Sequence, residues 1–116
     1  MRKSTRIKKK IIKSKVNIIS ISECCETIVN WSNQKRTKYI SIADTHVVAL
    51  SWLDSKYRKI VNSSDICTPD GAPLAWVLRS YGFKNQKRVS GPDLIEKLIP
   101  FLENYKLRVL FYGSSE

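Results

Sequence analysis

The sequence predicts an α/β fold, Rossmann-like, with alternating helices and a mostly parallel sheet that is incomplete at its C-terminal end. Two observations predict the alternation. Short runs rich in β-branched and aromatic residues, at 16–21, 39–43, 66–68 and 107–112, are separated by stretches whose apolar residues recur at helical spacing. Strands that alternate with helices lie parallel, because a parallel connection needs a crossover that a helix supplies. A third observation concerns the end of the chain. The last apolar run leads into Gly113-Ser114-Ser115-Glu116, the kind of turn after which such a fold continues with a binding loop and another helix. The sequence therefore reads as the front portion of a larger domain.

Residues 16–21 read as the first strand, and Ser22 as the cap of a helix from about 23 to 33 whose apolar side carries Cys25, Ile28, Val29 and Trp31. Residues 35–38 form a basic turn, and 39–43 a second strand. Polar Asp44-Thr45-His46 opens a helical stretch at 47–53, and 56–61 adds a further helical turn or two. Residues 66–68 are a brief extended piece before the turn Thr68-Pro69-Asp70-Gly71. Residues 72–81 make a third helix, ended by Gly82, which suits the left-handed position past a helix end. After a basic loop at 84–88, Ser90-Gly91-Pro92-Asp93 starts a helix with Leu94, Ile95, Leu98, Ile99 and Leu102 on one side. Pro100 inside that pattern predicts a kink or an early stop. Residues 107–112 are a near-continuous apolar strand.

Composition narrows the function classes. With 42% hydrophobic and 9% aromatic residues, 116 residues make one ordinary domain and exclude whole-chain disorder. No apolar run approaches the roughly 18 residues of a membrane-spanning helix. The net charge of +11 is concentrated: Arg2, Lys3, Arg6, Lys8, Lys9, Lys10, Lys13 and Lys15 fall in residues 1–15 with no acid, while the other 101 residues carry 13 basic and 10 acidic side chains. The organisation read from this is a basic tail, 1–15, followed by the α/β domain, 16–116. Such a tail touches nucleic acid or an anionic membrane surface, or is simply solvated. A nucleic-acid module would spread cations over a folded face and interleave aromatics, so no nucleic-acid partner is expected. Ile11-Ile12 is broken by Lys13 and Lys15 before any signal-peptide core forms. Cys24, Cys25 and Cys67 have no CxxC spacing and His46 is alone, so no metal and no cofactor are expected, and the thiols read as reduced.

Three polar clusters are candidates for chemistry. Asp44-Thr45-His46 and Thr68-Pro69-Asp70-Gly71 follow predicted strands, where open α/β sheets bind ligands. On local sequence Asp44 reads first as a helix cap and Asp70 first as a turn residue, with a general base whose pKa is raised in a crevice as the alternative for Asp70. In Arg88-Val89-Ser90-Gly91-Pro92-Asp93, an arginine precedes a helix N-terminus, an arrangement that suits the diphosphate of a nucleotide as well as it suits a surface arginine before a capped helix.

Taken together, the order and spacing of residues 43–50, 62–71 and 88–94, with the strand and glycine turn at 107–113, resemble the bacterial WecG/TagA/CpsF-type glycosyltransferase family, which includes teichoic-acid and enterobacterial-common-antigen N-acetylmannosaminyltransferases. The resemblance covers roughly residues 16–116 and about the first half of a typical member. It implies inverting transfer of a sugar from a UDP-sugar, UDP-N-acetylmannosamine or a related hexose donor, to a lipid-diphosphate-linked saccharide in cell-surface polysaccharide synthesis. That places the protein in the cytoplasm, peripheral at the inner face of the cytoplasmic membrane. On this resemblance Asp70 is the catalytic base, Arg88 stabilises the diphosphate, and Asp44, Thr45, Thr68, Gly71, Gly91 and Asp93 join the substrate site. Asp44 stands where many members have asparagine, and Ile42 where many have threonine, which points to a subgroup with a different sugar; His46 falls on a variable position. The family's later half supplies further nucleotide and acceptor contacts, so these 116 residues alone are expected to show no transferase activity. A partly built sheet exposes apolar surface, which favours a homo-oligomer.

Overall fold

The computed structural model describes residues 7–113. Lysine density in the first of these hides an alternating pattern: Ile11 and Val16 turn inward while most of the lysines turn out. The result is an antiparallel hairpin of β1 (Lys8–Ile11) and β2 (Ser14–Asn17), with Lys8 opposite Asn17 and Ile11 opposite Ser14. Ile11, Ser14, Val16 and Asn17 are all buried. This corrects the basic tail expected at 1–15, because residues 8–15 belong to folded structure; Arg2, Lys3 and Arg6 lie outside the described residues.

The strand expected at 16–21 also ends sooner, for a local reason. Ser20 Oγ accepts from Glu23 N at 3.1 Å and the Glu23 carboxylate accepts from Ser20 N at 3.0 Å. This reciprocal capping box starts α1 (Ile21–Asn33) at Ser20 rather than at Ser22. β3 (Ile40–Ala43), α2 (Thr45–Leu53), α3 (Ser55–Asn62) and β4 (Ile66–Pro69) then form a βαβ unit. Its strands pair in parallel, from Ile40 opposite Ile66 to Ala43 opposite Pro69. α4 (Ala72–Ser80) and α5 (Gly91–Asn104) complete the described elements. Gly82 takes a φ of +107° just past α4, as expected of it.

The period of two along the parallel strands divides the core between two faces. Ala43 and Cys67 pack with Val48, Val61, Leu74 and Leu78, side chains of α2, α3 and α4, and with Ile11 and Val16 of the hairpin. Ile66 packs on the other face with Cys24, Cys25, Trp31 and Leu94, side chains of α1 and α5. Helices thus cover both faces of the β3–β4 pair, a partial α/β fold. The hairpin joins it through Asn17, whose Oδ1 accepts from Cys67 N at 2.7 Å.

Two further features depart from the sequence reading. Residues 107–113 form no strand, and Leu110 and Tyr112 are 89% and 99% exposed. Apolar, β-prone side chains make a strand only when a neighbouring strand and a face to bury against are present, and among the described residues this run meets neither. Of the kink or early stop expected at Pro100, the early stop is absent, and α5 continues to Asn104. Pro100 is exposed, on a side where solvent can serve the carbonyl deprived of its N–H partner.

All three cysteines are free and buried. Burial pushes the Cys24 thiol up to about 12 and the Cys67 thiol up to about 11, and raises Cys25 as well. An unfolded chain ionises its thiols near pH 9.0 whereas the folded chain holds its protons until pH 11–12. Between those values the unfolded state carries fewer protons, so folding stability falls as pH rises through that window. A disulfide-exchange reagent at neutral pH is expected to titrate none of the three thiols in the native protein and all three in denaturant. Rapid labelling of the native chain would contradict this.

Candidate functional site at the C-terminal end of the parallel strands

Because β3 and β4 end level, Asp44 and Asp70 leave the sheet side by side. The ladder continues one step further, with Asp70 N donating to Ala43 O at 2.8 Å. From the other direction, Val89 N donates to Pro69 O at 2.7 Å and draws the start of α5 to the same strand end. These two hydrogen bonds bring together the three clusters singled out in the sequence, although they are far apart along the chain.

The individual residues differ in how they are employed. Asp44 is exposed, and its carboxylate accepts from Val47 N at 3.0 Å, capping α2. Thr45 and His46 are exposed in the first turn of that helix. Thr68 is fully buried, and its hydroxyl has no hydrogen-bond partner among the described residues, so it lies beneath the site rather than on its surface. Asp70 is half-buried, and its carboxylate makes no hydrogen bond or ion pair with any described residue. Gly71 adopts φ +110°, a backbone region that side chains rarely permit, and this turns the chain from β4 directly into α4.

At the start of α5, Ser90 is buried and its Oγ accepts from Asp93 N at 3.2 Å. The Asp93 side chain is exposed in the first turn, where a carboxylate is favoured by the helix dipole. Arg88 is exposed and engages no described residue in a hydrogen bond or ion pair. Gly91 has ordinary backbone angles, and a Cβ placed on it would meet nothing within 4 Å. Nothing inside the described chain therefore requires glycine there.

Arg88 also borders a cleft of about 760 Å³, lined by residues 18–23, residues 82–89 and Asp93. Lys84, Lys87 and Arg88 share its lining with Glu23 and Asp93, so cations only slightly outnumber acids there. Asp44 and Asp70 are not among its lining residues; cleft and strand-end crevice meet at Arg88 and Val89. One side of the cleft is held to the other by Gln86, which is buried. Its Oε1 accepts from Ile19 N at 3.0 Å, and its Nε2 donates to Ile19 O at 2.8 Å and to Lys87 O at 2.7 Å. The Arg79 guanidinium donates to Gln86 O at 2.8 Å, and the Lys9 ammonium sits 5.5 Å from the Phe83 ring centre. Sequence reasoning missed Gln86 entirely: a lone glutamine in a basic loop carries no local signal, and its partner lies 67 residues away.

Among the described residues there is no group of three or more His, Cys, Asp or Glu side chains able to hold a metal ion. No helix of those residues is long and apolar enough to cross a membrane.

The chain is 27% identical over 86 residues to the N-acetylglucosaminyldiphosphoundecaprenol N-acetyl-beta-D-mannosaminyltransferase of Bacillus spizizenii, an overlap of 74% of this chain and 34% of that protein. It thus matches about a third of this relative's length, less than the half expected of a typical member. The profile of the glycosyl transferase WecG/TagA/CpsF family matches residues 9–116, which takes in most of the hairpin as well as all three clusters, and the chain belongs to that family.

Proposed function

We propose that the chain forms the donor and general-base side of an inverting glycosyltransferase that moves a hexose from a UDP-sugar to a lipid-diphosphate-linked saccharide. The observation that carries this reading is the pair of backbone hydrogen bonds, Asp70 N to Ala43 O and Val89 N to Pro69 O, that bring the segments bearing Asp70 and Arg88 to one strand end, where no described residue engages either side chain. Several other carboxylates of the fold are occupied. Asp44 and Asp54 cap helices, and Asp65 pairs with Lys38 at 3.4 Å.

In the proposed step, Asp70 takes the proton of the acceptor hydroxyl as that oxygen attacks the anomeric carbon. The bond from that carbon to the UDP oxygen breaks on the opposite face, so the anomeric configuration inverts. Charge gathers on the departing diphosphate, and Arg88, with the N-terminal amides of α5, neutralises it. Gly91 leaves the α5 N-terminus uncovered, so a phosphate can approach its backbone. Asp93 and Thr45 border the substrate, Asp44 and Thr68 shape the site from behind, and Gly71 sets the direction of the Asp70 turn. The name of the Bacillus relative, N-acetylglucosaminyldiphosphoundecaprenol N-acetyl-beta-D-mannosaminyltransferase, supports a lipid-diphosphate-linked acceptor, and with it action at the inner face of the cytoplasmic membrane.

The test is ligand protection. UDP at about a hundred times its Kd is expected to raise stability by about 2.7 kcal/mol, a rise of many degrees in Tm for a domain of this size. In Arg88→Ala the same UDP concentration should give less than about a third of that rise. A Tm unmoved by UDP, with stabilisation by DNA that vanishes in moderate salt, would overturn the reading.

A further inference from the structure

We propose that the β1–β2 hairpin docks on an anionic phospholipid surface, with Ile12 entering the headgroup layer and Lys10, Lys13 and Lys15 pairing with lipid phosphates. Three local costs gather at one tip. Ile12, in the turn, has a φ of +58°, a conformation strained for a β-branched side chain. The same isoleucine is 61% exposed, so it recovers nothing by burial in the chain itself. Lys10 stands directly opposite Lys15 in the ladder, a like-charge pair that weakens a hairpin. Features that cost folding stability and cluster at one place point to a task outside the fold.

The tip is also held in place rather than frayed. Asn62, at the end of α3, donates through Nδ2 to Lys13 O at 3.0 Å and accepts through Oδ1 from Lys15 N at 2.9 Å. At the far end of the hairpin, Lys8 Nζ donates to Ser64 O at 2.8 Å. The turn between Ile11 and Ser14 is therefore clamped on its second strand, with Ile12 pointing away from the core. Residues 7–17 hold five lysines and no acid. Asp65 compensates Lys8 in part, but it also accepts from Tyr39 N and pairs with Lys38.

Charge complementarity selects an anionic occupant, and the exposed isoleucine selects a bilayer over a nucleic acid. An aliphatic wedge ringed by flexible ammonium groups suits an interface where apolar and charged layers adjoin. A single-stranded nucleic acid would call for aromatic or arginine stacking, and residues 7–17 contain neither aromatic residue nor arginine. This inference concerns the hairpin alone and stands whether or not sugar transfer does.

The experiment is co-sedimentation of the full chain with vesicles of phosphatidylcholine, with and without about 30% phosphatidylglycerol, and with DNA at the same salt. Binding is expected to the anionic vesicles only, and to fall steeply as salt is raised toward about 1 M, where the Debye length is about 3 Å. Ile12→Gly removes both the wedge and the backbone strain. It should keep or raise Tm while lowering vesicle binding by about five-fold or more. Lys10→Ser with Lys15→Ser, which relieves the cross-strand repulsion, should behave likewise. Equal binding to neutral vesicles, unchanged binding in both variants, or binding of DNA but not of vesicles would each overturn the proposal. So would a fall in Tm for Ile12→Gly, which would give the isoleucine a role in the fold instead.

Discussion

Replacing Asp70 with asparagine is expected to lower sugar transfer by about 10²–10⁴-fold in the full-length gene product, with little change in Tm and little change in donor KM. The magnitude is that of losing a positioned base. The separation of activity from stability follows from the geometry. Asp70 is anchored by its backbone N–H to Ala43 O, which asparagine preserves, while its carboxylate has no partner among the described residues to lose. A structural role predicts the reverse pattern. The measurement is turnover of a UDP-sugar on a lipid-diphosphate-linked acceptor beside a thermal melt of the same preparation. Retention of more than about a tenth of the activity would remove Asp70 from the role of base.

Gln86→Leu is expected to have the largest effect on folding of any single change near the site. The leucine fills similar space but leaves Ile19 N, Ile19 O and Lys87 O without the partners they have now. A buried polar group stripped of its partner costs about 1–3 kcal/mol. Partial access of water to the cleft reduces the total, so a loss of about 2–4 kcal/mol is expected, a fall in Tm on the order of 10 °C or more. UDP protection should disappear with it, because residues 82–89 and 18–23 lose the link that sets the width of the cleft. Gln86→Glu should rescue little, since its second oxygen would face two carbonyls to which Nε2 now donates. A melt within about 3 °C of the wild type would show that the glutamine is not the clamp.

What the sequence revealed, and what it concealed, follows the range of the interactions involved. The βαβ unit from Ile40 to Pro69 was legible because its strands are short and β-branched and its first helix opens on Asp44 with apolar residues at helical spacing, all local signals. The Ser20–Glu23 capping box was present as Ser-x-x-Glu yet was read one serine too late, which moved a strand boundary by several residues. The hairpin was hidden because lysine density imitates a solvated terminus, while the informative alternation of Ile11 and Val16 is sparse. Residues 107–112 misled in the opposite way: their side chains describe a strand, but pairing depends on a neighbour that no local pattern encodes. For the site, the three clusters were visible as motifs. Their convergence rests on two backbone hydrogen bonds, and the cleft on a glutamine whose importance is wholly tertiary.

The loop that carries Arg88 is tied down twice, at Gln86 to the segment before α1 and at Val89 to the end of β4. An arginine two residues past one tether and one residue before the next has little backbone freedom left to surrender. When an anion arrives, the ordering it demands falls on the side-chain torsions alone, and the costlier main-chain entropy has already been lost in folding. Lengthening the loop by a single glycine between Lys87 and Arg88 would return that freedom, and affinity for a diphosphate would decline even though every charged group remained.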